Sequence, residues 1–159
     1  MNKSDLIQKI IVHLQERLAA GTAAARATSA AATDPDSKAE NKYDTRNLEA
    51  SYLARGQAVR VAETMEALSE FEALTVRTFT PDQAIGEGAL VELKGADGRF
   101  FCFLGPAAGG TEISMDGSEV MVITSASPLG AKLMRRKAGE RFAMVDGRPS
   151  SAVEIVAVT

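Results

Sequence analysis

The sequence contains few of the residues that form disulfides or zinc sites. It has one cysteine, Cys102, one histidine, His13, and no tryptophan. A single cysteine cannot form an internal disulfide and has no partner cysteines for a zinc site. Because Cys102 lies in the apolar run 100–104, we expect a buried thiol. His13 has no ligand near it in sequence, and we expect it to be structural or exposed.

The chain also lacks a strong charge bias and a long apolar run. Its 18 Lys and Arg against 21 Asp and Glu give a net charge of −3, whereas proteins that coat nucleic acid are usually strongly basic. No apolar run approaches the ~20 residues needed to cross a bilayer. The first residues do not have the layout of a signal peptide. We therefore expect a cytoplasmic protein that makes no membrane contact.

What the first half does contain is a pair of matching apolar stripes. The stripes are formed by Ser4, Ile7, Ile11, Leu14 and Leu18, and by Ala54, Ala58, Val61, Met65 and Leu68. Taken from outside in, the two stripes pair about a midpoint at Asp36, and this register continued inward pairs Gly21 with Ser51. Two helices with one shared centre predict an antiparallel coiled-coil hairpin, with helices over 4–32 and 38–73. Ser4 is the expected N-cap of the first helix.

The turn between the predicted helices is acidic. Asp34 and Asp36 flank a proline in strong turn chemistry, and Ser37 with Glu40 matches a capping box that opens the second helix. Asp34 can therefore be a turn former and Glu40 a helix cap, or both can offer carboxylates to a cation. Asp36 is the least explained by a turn or a helix cap, so it is the best candidate for binding a cation.

The pattern changes at 75–81, so we place the hairpin at 1–75 and a second domain at 76–159. Short apolar segments predict strands over 89–93, 99–104, 119–124, 141–145 and 152–158. Pro128–Arg136 predicts a short helix capped by Ser127, with Leu129 and Leu133 on one face packed on the sheet. The predicted fold class is α+β: the hairpin followed by an antiparallel sheet with a short helix.

Together these residues resemble the Gre-type transcription elongation factors, the GreA/GreB family. The C-terminal runs 127–133, 137–140 and 153–158 resemble the family signature. An acidic tip followed by Glu40-Asn41, Tyr43, Tyr52-Leu53 and Gly56 resembles the start of the family's second coiled-coil helix. The resemblance covers essentially the whole chain. It implies that the second domain is FKBP-like, without isomerase function.

The resemblance also implies a function. A factor of this family binds the bacterial RNA polymerase core, here as a monomer. Its globular domain docks at the rim of the secondary channel, and its coiled coil reaches the nascent RNA 3′ end. Asp36, Glu40 and Asp34 would then help the polymerase hold a Mg²⁺ ion that promotes cleavage of a backtracked transcript. The factor would have no cofactor and no enzymatic activity of its own.

The tip spacing departs from the family pattern and leaves alternatives open. The family has Glu-Asn beginning three residues after the tip Asp and Tyr four after that Glu. Here Glu40 is one place late and Tyr43 is only three beyond it. A regulator that occupies the channel without promoting cleavage is the first alternative. A folding helper with a peptide-binding FKBP-like module is a more distant one, since the tip offers Asp, Ser and Ala rather than large apolar residues.

Four further residues are candidates for contacts with RNA or the polymerase. Arg46, Arg55 and Arg60 could line a basic face, although such charges also occur on ordinary solvated helix faces. Tyr43 could contact the partner or simply pack against the opposite Ala-rich helix.

Overall fold

The computed structural model describes the backbone of residues 1–33, 46–144 and 152–159, and their side chains except those of 31–33, 46–48 and 50. The elements in chain order are α1 Lys3–Thr33, α2 Arg46–Ala73, β1 Leu90–Gly95, β2 Gly98–Leu104, β3 Glu112–Met115, β4 Ser118–Ile123, α3 Pro128–Leu133, β5 Arg141–Ala143 and β6 Ala152–Val158. The α+β fold class, with two long helices before a sheet that carries a short helix, is confirmed. None of the described helices is long and apolar enough to span a membrane.

The chain divides into two compact units. The globular unit consists of residues 1–11 and 70–159, and the helical unit consists of residues 12–69. The start of α1 is therefore part of the globular unit. There Lys9 Nζ donates to the Ser114 carbonyl at 3.0 Å, and the N-terminal ammonium lies 3.8 Å from the Asp116 carboxylate.

The N-cap of α1 is Asn2 rather than the predicted Ser4. The Asn2 side-chain oxygen accepts from the Ser4 amide at 2.9 Å and from the Asp5 amide at 3.5 Å. This satisfies two of the amide donors that the first turn leaves free. Asp5 lies in that first turn, where the helix dipole stabilises a carboxylate.

The predicted pairing of α1 with α2 is wrong in register. A Cβ on Gly21 would lie 3.2 Å from Val61 Cγ2, so Gly21 faces Val61 and not Ser51. The stripe on α2 is shifted as well, because Thr64 is buried while Met65 is 56% exposed. Small residues repeat so closely in both helices that several registers give similar apolar stripes. The sequence pattern alone could not choose among them.

The sheet has the strand order β3-β4-β2-β1-β6-β5 and is mixed rather than purely antiparallel. Four pairings are antiparallel, but β2 and β4 run parallel, with Phe103 opposite Val122. The parallel pair arises because β3, which the sequence analysis missed, forms a hairpin with β4 and takes the edge of the sheet. The more apolar β4, with Val120 and Val122 both fully buried, takes the interior position.

Both faces of the sheet are buried. One face carries Val91, Leu93, Cys102 and Leu104 in a contiguous core with Leu133 of α3. The opposite face carries Phe103, whose ring lies 6.3 Å from that of Phe71 at the end of α2. Strands buried on both faces contain apolar runs rather than a clean alternation, which matches the run 100–104.

A register shift between β1 and β6 fits the C-terminal strand to this core. Val91 pairs with Val158, but Leu93 pairs with Ile155, so β6 contains one extra residue. Such a bulge lets residues three apart point to the same face. Ile155 and Val158 accordingly both join the core.

Candidate partner-binding surfaces

Most of the predicted tip site lies outside the described residues. Asp34, Asp36, Glu40 and Tyr43 fall in 34–45, and the described part of Arg46 is its backbone at the start of α2. Their roles stay predictions. Within the part of the chain that the structure describes, no three His, Cys, Asp or Glu side chains come together as a metal site.

The two predicted arginines that are described, Arg55 and Arg60, are both exposed on α2. They are five positions apart, which places them about 140° apart around an ideal helix. The structure therefore does not gather them on one basic face. Each can meet a partner only on its own side of the helix.

Around these two arginines, α2 presents an exposed apolar face. Tyr52 is 67% exposed, Leu53 57% and Val59 52%. Gly56 lies among them, and a Cβ built on it meets no atom within 4 Å. Tyr52, Leu53 and Gly56 belong to the resemblance, whereas Val59 was not predicted to contribute to this face. A helix face of this kind is a surface that a partner can cover.

The globular unit contains an apolar groove of about 370 Å³ between β4 and α3. Its lining includes Met121, Ile123, Leu129 and Met144. Met121 and Met144 are 40% and 39% exposed, so two flexible thioether side chains are accessible from solvent. Met-lined surfaces adapt to apolar partners of varied shape. Met121 pairs with Cys102 and so lies on the same face of the sheet as that core residue, and no local sequence pattern indicates the groove.

At one end of the groove, Ser127 caps the N-terminus of α3. The Ser127 hydroxyl accepts from the Gly130 amide at 3.1 Å and donates to the Thr124 carbonyl at 2.8 Å. Ser127 as N-cap and Pro128 in the first turn are as predicted. A Cβ on Gly130 would lie 1.9 Å from the Thr124 carbonyl oxygen, so the helix fits only with glycine there.

Helix α3 ends at Leu133, three residues earlier than predicted. Arg135 adopts a left-handed conformation with φ of 68°, and its amide donates to the Ile85 carbonyl at 3.0 Å. This turn ends the helix and leaves the Arg135 side chain exposed. Leu133 is fully buried in the core and Leu129 packs against it, which confirms that the two share a face.

Basic side chains follow the helix. Arg136 pairs with Glu140 at 3.2 Å and lies over the Phe142 ring at 5.3 Å, so it is fixed in place. Lys132 Nζ donates to the Ala143 carbonyl at 3.0 Å and also lines the groove. The lining of the groove is therefore mainly apolar, with Lys132 as its basic residue.

Two other groups have shifted proton affinities. Burial raises the pKa of the Cys102 thiol to about 12, so the thiol is protonated at neutral pH and is not a nucleophile. Burial, and then the neighbouring Arg77, lower the pKa of Lys3. Lys3 donates to the Arg77 carbonyl and lies 4.9 Å from the Phe79 ring centroid. Both groups belong to the packing of the globular unit.

Comparison with known proteins gave structural neighbours only. No family model matches the chain, and no curated protein matches it. The crystal structure of GreA factor homolog 1 (Gfh1) of Thermus thermophilus is 20% identical, covering 98% of this chain and 93% of that one, with a TM-score of 0.35. Thermus aquaticus Gfh1 is also 20% identical, covering 98% and 92%, with a TM-score of 0.37.

A further solved structure of the transcription factor Gfh1 is 20% identical to the chain. It covers 97% of this chain and 91% of that chain, with a TM-score of 0.40. Superpositions with such low TM-scores carry no weight for function.

Proposed function

We propose that this protein is a Gre-like transcription elongation factor that binds bacterial RNA polymerase core through its secondary channel and stimulates cleavage of backtracked transcripts. One observation carries the proposal. The residues of the C-terminal resemblance, 127–133, form the capped helix beside the apolar groove, in a chain that also has two long helices on either side of the acidic segment.

The two units divide the work in this proposal. The Met-lined groove, with its basic side, docks the globular unit on the rim of the channel. The helical unit enters the channel; residues 12–33 of α1 alone extend about 33 Å at the rise of an α-helix. The acidic residues Asp34, Asp36 and Glu40 belong to the chain that joins α1 to α2. We expect the factor to act as a cytoplasmic monomer.

The chemistry belongs to the polymerase. Water attacks the phosphorus of an RNA phosphodiester, the bond to the 3′ oxygen of the upstream nucleotide breaks, and that oxygen takes a proton. A Mg²⁺ ion held jointly by polymerase and tip carboxylates would stabilise the developing charge and activate the water. Mg²⁺ is suited to this because it accepts one or two carboxylates while keeping several waters. Asp36 and Glu40 are the proposed ligands, with Asp34 as the substitute.

A second candidate, a channel-occupying regulator that does not promote cleavage, is favoured by the observed register. Gly21 faces Val61, so the register of the described helices differs from the predicted pairing about Asp36. The spacing of Glu40 and Tyr43 is shifted as well. The two candidate functions therefore differ in whether the carboxylates can reach a metal ion in the polymerase.

The experiment is a stalled, backtracked elongation complex incubated with the protein and Mg²⁺. We expect shortened transcripts with the wild type and none above background with Asp36→Ala at unchanged polymerase affinity. Glu40→Gln separates two roles, because Gln can still cap a helix but offers no charge to a metal. If the wild type binds but never stimulates cleavage, the non-cleaving regulator is the better description. If it does not bind polymerase at all, both candidates fail, and peptide binding by the groove would be tested next.

A further inference from the structure

The seam of the helical unit contains a buried polar atom without a hydrogen-bond partner. It is Oε1 of Gln57 on α2. Gln57 lies on the half-buried stripe with Ala54 and Val61, which faces α1 through the Gly21 contact. A buried acceptor that has lost its water and gained no donor makes the closed seam less favourable by its full desolvation cost.

Three threonine hydroxyls of the helical unit donate to backbone carbonyls. Thr22 and Thr28 donate to the carbonyls of Leu18 and Ala24 in α1, at 2.7 and 3.0 Å. Thr64 of α2 donates to the Arg60 carbonyl at 2.8 Å. Each of these bonds stays within one helix, so none of them holds the two helices together or satisfies Gln57.

Gln57 also has few buried apolar side chains near it in the helices. Among the described side chains of 15–30 and 51–63, none is buried. The buried side chains among those described for the helical unit are Leu14, Thr64 and Ala67, all on the other side of the Gly21–Val61 contact from Gln57. The free-energy cost of desolvating Gln57 Oε1 is therefore not offset by close packing of apolar neighbours.

We propose that Gln57 is a built-in weak point that lets residues 22–30 and 51–60 of the helical unit open as a separate cooperative step. In the closed state Gln57 Oε1 is inaccessible to solvent and has no hydrogen-bond partner among the described residues. In the open state water hydrates it while the helices on the other side of Gly21 and Val61 stay paired. A partner that binds only the closed state shifts this equilibrium by its preference for that state. The proposal does not depend on the function proposed above.

Hydrogen exchange of the full chain, followed by mass spectrometry, tests the opening directly. In the wild type, we expect amides of 22–30 and 51–60 to exchange faster than those of 10–14 and 64–68. Gln57→Leu replaces the amide by an apolar group of similar size and should slow exchange in 22–30 and 51–60 about tenfold. Exchange in β1–β6 should not change.

Two further variants serve as controls for this measurement. Gln15→Leu makes the same replacement at an exposed position of α1 and should leave exchange in 22–30 unchanged. Gln57→Glu keeps the shape but buries a charge, and should speed exchange there. If Gln57→Leu slows exchange and Gln57→Glu speeds it, desolvation of the side chain is the cause. Crowding would change the exchange rate in the same direction in both variants. The proposal is overturned if Gln57→Leu exchanges like the wild type, or if Gln57→Glu has no effect.

Discussion

The globular and helical units are stabilised in different ways. The globular unit buries side chains on both faces of a six-stranded sheet, with Val91, Leu93 and Phe103 fully inaccessible. The buried side chains described for the helical unit are Leu14, Thr64 and Ala67. One unit therefore has a close-packed core, whereas the other depends on helix propensity and on a thin seam of small residues.

This difference suits the proposed division of function. A docking module must present its groove in a fixed shape, and the Ser127 cap with the close Gly130–Thr124 approach fixes one wall of that groove. A helical segment that enters a partner can adapt on binding, at the cost of lower stability when free. Changes confined to one unit separate these two ways of stabilising the fold.

Removing parts of the first two helices should distinguish the units most strongly. Deleting 1–73 removes Leu6, Ile10 and Phe71, which are at most 1% exposed, from the globular unit. We expect that fragment to lose its cooperative thermal transition. Replacing 12–69 by a short Gly-Ser linker keeps these three side chains and should preserve the transition. Circular dichroism melting measures both, and equal behaviour of the two deletions would contradict the assignment of residues 1–11 to the globular unit.

Two leucines, one in each unit, allow the difference in packing to be measured with single substitutions. Leu133 is fully buried in the core, so Leu133→Ala should lower the free energy of unfolding by about 2–5 kcal/mol. Leu53 is 57% exposed on α2, and Leu53→Ala should change it by less than ~0.5 kcal/mol. Urea unfolding provides both values. Comparable losses at the two sites would show that the outer face of α2 is covered in the free protein.

Two helical glycines should respond to alanine with opposite signs. Gly130→Ala forces a Cβ against the Thr124 carbonyl oxygen and should destabilise the globular unit by about 1–3 kcal/mol or more. At Gly56 the Cβ meets nothing, so Gly56→Ala should stabilise α2 by about 0.5–1 kcal/mol. The urea midpoint of each variant checks the sign. A stabilising Gly130→Ala would mean that α3 does not lie against Thr124.

The smallest effect is expected in the loop beside the groove. Ala108 has a positive φ of 56°, a conformation that costs a side-chain-bearing residue about 1–2 kcal/mol. Ala108→Gly removes that strain but adds freedom to the unfolded chain, so we expect a net gain of less than ~1 kcal/mol. Ala107→Gly is the neighbouring control without the positive φ, and should be destabilising. If both variants lose stability equally, Ala108 is not strained in solution.

The predictions from sequence succeeded where local chemistry was specific. Ser127 with Pro128 identified the start of α3, and the run 100–104 identified a central strand with a buried Cys102. Strand β3 was missed although Asp116-Gly117, both with positive φ, is a strong hairpin signal between alternating apolar residues. That signal was available in the sequence and was overlooked.

Other features could not be read from the sequence because they depend on distant contacts. The parallel pairing of β2 with β4 follows from competition between β3 and β4 for the interior of the sheet. The register of α1 on α2 is selected among many similar stripes of small residues. The groove requires β4, α3 and Met144 to meet, and no local pattern joins these segments. Asp34, Asp36, Glu40 and Tyr43 stay predictions from the sequence.

Binding to RNA polymerase core tests the central claim most directly. The measurement is comigration of the full chain with core polymerase on a native gel, in low salt and at micromolar protein. We predict a one-to-one complex with the wild type, and a much weaker complex with Met121→Glu, which places a charge in the apolar groove. Met121 is already 40% exposed, so that change should leave the fold intact. Absence of any comigration by the wild type would contradict the proposed function.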